Sequence, residues 1–198
     1  MSSAPSRAVQ PKRARGRQRV EALLNAAAAV FAERGYEGTT MTEIATRSGT
    51  AIGSLYRFFP TKAVIAEALL DQYSGQVDAV FSAIRESAEN MSPREIADAL
   101  IDLMLGLRDE YAAAIVLLEG RGDGAVIGER LRSDGRSQIE EILRTAVPNL
   151  GEDVVPIAAV LLQVMKAVLP FAAEDGAHGR LAGELRRLLR IYLEGTLR

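Results

Sequence analysis

Between residues 39 and 62 the sequence carries a dense set of helix-start and helix-stop signals, and they leave little freedom in what this stretch can fold into. Thr40-Met41-Thr42-Glu43 has the spacing of a capping box: the Thr hydroxyl takes the amide three residues on, and the Glu carboxylate reaches back. Gly49 interrupts the helical pattern, Thr50 is suited to cap a second segment, and Pro60 forces a restart. The spacing predicts helices over residues 41–48 and 51–58, each about two turns long, joined by a glycine turn. Ile44, Ala45 and Leu55 fall on the sides that face inward. This is the outline of a helix-turn-helix, although an ordinary helical hairpin shares the spacing.

The flanking sequence is helical throughout. Val20, Leu23, Leu24, Ala27, Ala28 and Phe31 recur at three- and four-residue steps, which predicts a helix over residues 17–34 closed by Gly35, with a loop at 36–39. A long helix is expected over 61–87, with Val64, Leu69, Tyr73, Val77, Val80, Phe81 and Ile84 as its core face. Ser92-Pro93-Arg94-Glu95 opens another, 93–107, followed by helices over 109–119, 125–146, 155–173 and 181–197. The last shows Leu181, Leu185, Leu188, Leu189 and Tyr192 on one side. Hydrophobic residues make up 48% of the chain and aromatics 5%, with Ala and Leu dominant, which favours helix packed on helix. The expected fold class is all-α.

Charge is distributed unevenly. Residues 1–62 hold ten Lys/Arg against four acids, whereas the remainder holds 14 against 22. A basic front on an acidic body implies that the front alone meets a polyanion. Residues 1–16 are Arg-, Ser- and Pro-rich and lack an apolar run; they read as a flexible basic arm, and not as a secretory signal. The apolar window 154–173 contains Gln163, Lys166 and Pro170, the mark of a buried helix more than of a membrane span. With no Cys and a single His, His178, thiolate sites are excluded and a metal site would need carboxylates alone; no metal, cofactor or catalytic residue is expected.

Thr39-Thr40-Met41-Thr42-Glu43-Ile44-Ala45, then Ser48-Gly49-Thr50, then Gly53-Ser54-Leu55-Tyr56-Arg57-Phe58-Phe59-Pro60-Thr61-Lys62 together resemble the TetR (tetracycline-repressor-like) family of transcriptional regulators. With the preceding helix the likeness covers residues 17–66; Ser48 and Arg57 depart from the residues most common in the family. The resemblance implies a three-helix DNA-binding domain at 17–66 and a larger helical effector-binding and dimerisation domain at 67–198. It further implies a cytoplasmic, nucleoid-associated repressor that binds a near-palindromic duplex as a homodimer through its last two helices, with no membrane role. The helix at 51–58 would enter the major groove. Ala51 and Gly53 would allow close approach, with Thr42, Ser54 and Arg57 as base readers. Tyr56 and Lys62 would contact phosphate, as the resemblance implies. Thr40 and Thr50, at helix starts, are suited to phosphate oxygens, and Arg47 to phosphate or solvent. Arg13, Arg15 and Arg17 would follow the backbone or the minor groove.

In the second domain Phe81, Met104, Leu107, Tyr111 and Ile115 are candidate lining for an apolar pocket holding a small-molecule effector, with Met91 beside them and Asp102, Arg108 or Glu119 as polar anchors; each also fits plain core. Two other classes compete. Gly120-Arg121-Gly122-Asp123-Gly124-Ala125 imitates the phosphate-cradling fingerprint of dinucleotide enzymes, with Glu140 near the ribose-binding distance, but that motif requires a βαβ unit and no strands surround it. An architectural DNA-binding or adaptor protein would use the same helices without sequence preference.

Overall fold

A computed structural model of the chain describes residues 14–175 and 180–197. These form α1 (Ala14–Gly38), α2 (Met41–Arg47), α3 (Ile52–Phe58), α4 (Lys62–Ser87), α5 (Pro93–Gly106), α6 (Arg108–Glu119), α7 (Gly124–Ala146), α8 (Val154–Asp175) and α9 (Arg180–Thr196), with short 3₁₀ turns at Ala88–Asn90 and Pro148–Asp153. No strand occurs among the described residues, so the glycine run after α6 sits in a helix–turn–helix link and not in a dinucleotide-binding unit. Most of the arm at 1–16, including Arg13, lies outside the described residues, as does His178.

The element boundaries follow the local signals closely. Ser92 and Glu95 cap α5 reciprocally, with Pro93 in the first turn. Gly35 takes φ 71° and ψ 171°, a backbone region open to glycine, and breaks α1 three residues before its last turn ends. The loop expected at 36–39 is therefore mostly one further helical turn.

The chain divides into two compact units. The first contains the described residues up to Ser74 together with Asp109–Gly128. Its core joins Leu23, Phe31, Ile44, Leu55, Phe59 and Ile65 to Ala114 and Leu117 of α6. A domain boundary near residue 66 thus differs from the packing. Leu70 of α4 and the inner face of α6 belong to the same core as the helix-turn-helix, because both present small or aliphatic side chains to it.

The second unit comprises Gly75–Arg108 and the residues from Glu129 onward. Here α5, α8 and α9 pack on one another through Leu100, Ile101, Ile157, Leu161, Leu189 and Leu193, all buried. On α4, Phe81 and Ile84 are buried, whereas Leu69, Tyr73, Val77 and Val80 are only partly so. The apolar face expected on α9 proves to be two adjacent stripes. Ala182, Leu189 and Leu193 point inward; Leu181, Leu188 and Ile191 are 44%, 50% and 58% exposed, and Leu185 and Tyr192 lie at the margin.

Candidate nucleic-acid interface

The head of the first unit is built around one tight turn. After α2, Gly49 adopts φ 63°; its amide donates to the Thr46 carbonyl at 3.2 Å, and the Thr50 amide donates to the Ala45 carbonyl at 3.0 Å. This double closure is a Schellman motif, and it needs the left-handed glycine. It also corrects the role expected of Thr50. The Thr50 amide closes α2, its hydroxyl donates to the Ser48 carbonyl at 3.5 Å, and the cap of α3 passes to Ala51, which has no side-chain bond to offer.

At the other end of α2 the capping box is complete. The Thr40 amide and hydroxyl donate to Glu43 Oε2 at 2.9 and 2.8 Å, and the Glu43 amide donates back to Thr40 Oγ1 at 3.3 Å. Arg34 reaches Glu43 Oε1 at 2.7 Å. The hydrogen bond from the Thr40 hydroxyl, aided by that from its amide and by Arg34, holds the Glu43 carboxyl below its ordinary range. The Thr40 hydroxyl and amide are thereby engaged by Glu43, whose carboxylate sits at the start of α2. Thr39, overlooked in the sequence, is the buried polar residue of this corner: its hydroxyl donates to the Gly35 carbonyl at 2.7 Å. The adjacent Thr-Thr pair was the available signal.

Leu55, fully buried, and Phe58 anchor α3 against the core, each such side chain contributing about 1.5–3 kcal/mol of transfer free energy. The opposite side of α3 is exposed: Ala51, Ile52 (40%), Gly53, Tyr56 (49%) and Arg57, with Thr42 of α2 also exposed. The Arg57 guanidinium stacks on the ring of Phe58, 5.4 Å from its centroid, so its fork is steered from the helix side. Ile52 was not singled out in the sequence, yet it stands one turn before Tyr56 on the same face, and that four-residue step was the signal for it.

Three of the residues expected at the interface have the following surroundings within the head. The Ser54 hydroxyl oxygen is buried without a hydrogen-bond partner, on a residue that is itself half-buried. Arg47 is paired with Glu33 at 2.6 Å. The Lys62 ammonium donates to the carbonyls of Tyr36 at 2.6 Å and Glu37 at 3.2 Å. Arg17 is exposed.

The five candidate pocket residues divide between the units. Phe81 and Met104 are buried and Leu107 half-buried in the second, whereas Tyr111 and Ile115 are half-buried in the first, where Tyr111 meets Tyr73 edge-on at 6.2 Å. Burial pushes the Tyr73 hydroxyl well above its ordinary value, with Tyr111 and Glu110 adding to the effect. No one unit holds the set. Met91 is half-buried; of the suggested anchors, Asp102 is paired with Arg186, Glu119 is exposed, and Arg108 is exposed on its helix. Glu140, the would-be ribose ligand, is paired with Arg144 at 2.9 Å. Along α9 a groove of about 590 Å³ is lined by Leu181, Glu184, Leu185, Arg187, Leu188, Ile191 and Tyr192. Among the described residues no cluster of His, Cys or carboxylate groups could hold a metal, and no helix is long and apolar enough to cross a membrane.

A capped α2, a glycine turn and an α3 with one anchored and one exposed side define a helix-turn-helix head of the kind found in DNA-binding regulators. Residues 23–69 match the family model for bacterial regulatory proteins of the tetR family, and residues 92–193 match that for the tetracyclin repressor-like C-terminal domain. The chain belongs to the TetR family. It is 32% identical to the HTH-type transcriptional repressor KstR2 of Rhodococcus jostii over 109 residues, 54% of this chain and 52% of that protein. It is 37% identical to the A-factor receptor protein of Streptomyces griseus over 67 residues, 34% of this chain and 24% of that one. The alignments thus span about half or less of these relatives. Among solved structures, a transcriptional regulator (TerR/AcrR family) from Aquifex aeolicus aligns with a TM-score of 0.71 at 18% identity, covering 89% of this chain and 98% of that one. A TetR-like regulator from Rhodococcus sp. RHA1 aligns at 0.69 and 22% identity, covering 94% and 100%. These two likenesses establish the fold.

Proposed function

We propose that this chain is a ligand-responsive transcriptional regulator, acting in the cytoplasm at the nucleoid, that binds a near-palindromic duplex as a homodimer and represses transcription. The observation that carries the reading is the exposed side of α3, where Ile52, Tyr56 and Arg57 stand outward from a helix fixed by buried Leu55. Arg57 has the fork geometry to take guanine O6 and N7, and Ile52 the apolar surface to meet a thymine methyl. Tyr56 supplies a neutral hydroxyl for a phosphate oxygen, Thr42 a short hydroxyl at the groove edge, and Ala51 and Gly53 the clearance for close approach.

One head of this size neutralises few phosphates, so specific binding calls for two copies on two half-sites. The outward stripe of α9, Leu181, Leu188 and Ile191, together with Val155 and Val160 of α8, offers an apolar surface for a second copy. Responsiveness to a ligand draws support from the likeness to the A-factor receptor protein. An effector that prefers the DNA-incompetent state must supply about 5.5 kcal/mol of differential affinity to move a 1:99 equilibrium to 99:1, and operator and effector must then weaken each other equally.

The test is selection of bound fragments from random or genomic duplex DNA by the purified protein. An inverted repeat is the expected product. Recovery of fragments without a common sequence would favour the architectural reading instead.

A further inference from the structure

The charges of α9 are spent on two different sides. Arg186 and Arg190 turn toward α5, where both meet the Asp98 carboxylate and Arg186 also meets Asp102. Glu184 and Arg187 instead line the outer groove, among Leu181, Leu188 and Ile191. They are the charged members of that lining, one of each sign, and their side chains are 72% and 71% exposed. Within the chain they approach each other only to 4.0 Å, the outer limit of an ion pair. An exposed pair so loosely made contributes little to the helix that carries it.

Such a face is complementary to itself. Two copies related by a two-fold axis present the same patch to each other, so a contact between two different positions is made twice. Aliphatic side chains then cover aliphatic side chains, and Glu184 of each copy is set against Arg187 of the other. Other occupants fit less well. A nucleic acid needs a positive surface, whereas this one is balanced in charge. A foreign helix with another charge pattern meets like charge at one position or the other.

We propose that Glu184 and Arg187 select the partner: the groove takes a second copy of this chain, and the two crossed Glu184–Arg187 pairs exclude chains of the same fold with a different charge pattern there. This rests on the dimeric reading of the regulator and adds to it the residues that decide which chains can join. The apolar stripe supplies the attraction, which is indifferent to identity; the charges supply the choice.

The experiment uses the full chain as Glu184→Arg, as Arg187→Glu and as the double variant carrying both. Each single variant sets like charges across the axis, so each should self-associate about tenfold more weakly than wild type in sedimentation at low salt. The loss should shrink as salt is raised to about 1 M, which a structural defect would not do. An equimolar mixture of the two single variants regains both crossed pairs and should form heterodimers of wild-type strength, read by native mass spectrometry. The double variant reverses both signs at unchanged net charge; it should pair with itself and refuse wild type. Single variants that self-associate like wild type overturn the proposal. So does a mixture no tighter than its components, or a double variant that exchanges freely with wild type. If wild type is monomeric at every concentration, it is the dimeric reading that fails, and this one falls with it.

Discussion

Arg190 and Asp98 meet fork to carboxylate: Nε donates to Oδ1 at 2.6 Å and Nη2 to Oδ2 at 2.8 Å, joining α9 to α5. Arg186 stands on the same carboxylate at 3.5 Å. The hydrogen bond from Arg190, with the positive charge of both arginines, holds the Asp98 carboxyl below its ordinary value.

Because the folded-state value is depressed, the pair's contribution is complete above the unfolded-state value, near pH 4, and disappears as pH falls through the folded one. Asp98→Asn should therefore cost about 1–2 kcal/mol at neutral pH and flatten the decline in stability below about pH 4. Urea unfolding of both proteins between pH 7 and 2 tests this; parallel profiles would show that the pair contributes nothing.

Gly124 has no room for a side chain, since a Cβ would lie 1.7 Å from the Leu118 carbonyl oxygen, whereas Gly122 has open space around it. Gly124→Ala should destabilise by about 3 kcal/mol or more and Gly122→Ala by less than about 1. Thermal unfolding of the two variants side by side provides the comparison, and equal midpoints would contradict the packing described for this turn.

Contacts to bases and to phosphate should respond differently. Arg57→Ala should relax discrimination at one base pair by about 1–3 kcal/mol. Tyr56→Phe should weaken all sequences alike, by about 1 kcal/mol, with no effect on the salt slope because the hydroxyl is uncharged. Selection repeated with each variant reads out both.

Ile52 makes a separate prediction. If it meets a thymine methyl, replacing that thymine by uracil should weaken wild-type binding by about 1 kcal/mol and leave Ile52→Ala indifferent. Loss of the same size in both proteins would remove Ile52 from the interface.

Assembly is tested on α9. Ile191→Asp combined with Leu188→Asp places two charges on the exposed stripe without touching buried Leu189, so the fold should survive while sedimentation shifts to monomer. Operator affinity should fall at least about tenfold as the second half-site is lost. A double variant that remained dimeric would move the interface elsewhere.

What the sequence made legible was local. The capping boxes at Thr40/Glu43 and Ser92/Glu95, the positive φ of Gly35 and Gly49, and the inward turn of Leu55 each depend on residues within a few positions. Thr50 misled because a threonine after glycine fits a cap, but here its amide already closes the preceding helix. Ser54, a small polar residue on a short helix, reads from the sequence as exposed, and only the packed head shows its hydroxyl oxygen buried. Lys62 on Tyr36, Tyr36 on Gly120 and Leu117 in the first core are contacts across 25 residues or more, beyond the reach of any spacing rule. The two stripes of α9 escaped for a related reason: periodicity reveals an apolar helix, while its neighbours decide which side they cover.

That α6 supplies Ala114 and Leu117 to the same core as Leu55 bears on how this protein can be cut and recombined. An N-terminal fragment ending near residue 74 would leave two hydrophobic positions without their fillers. A chimaera that exchanges specificity with a relative must be spliced at three seams and not one, transplanting Asp109–Gly128 along with the first helices. Substitutions accepted in that segment would, by the same token, be edited directly into the foundation on which α3 stands.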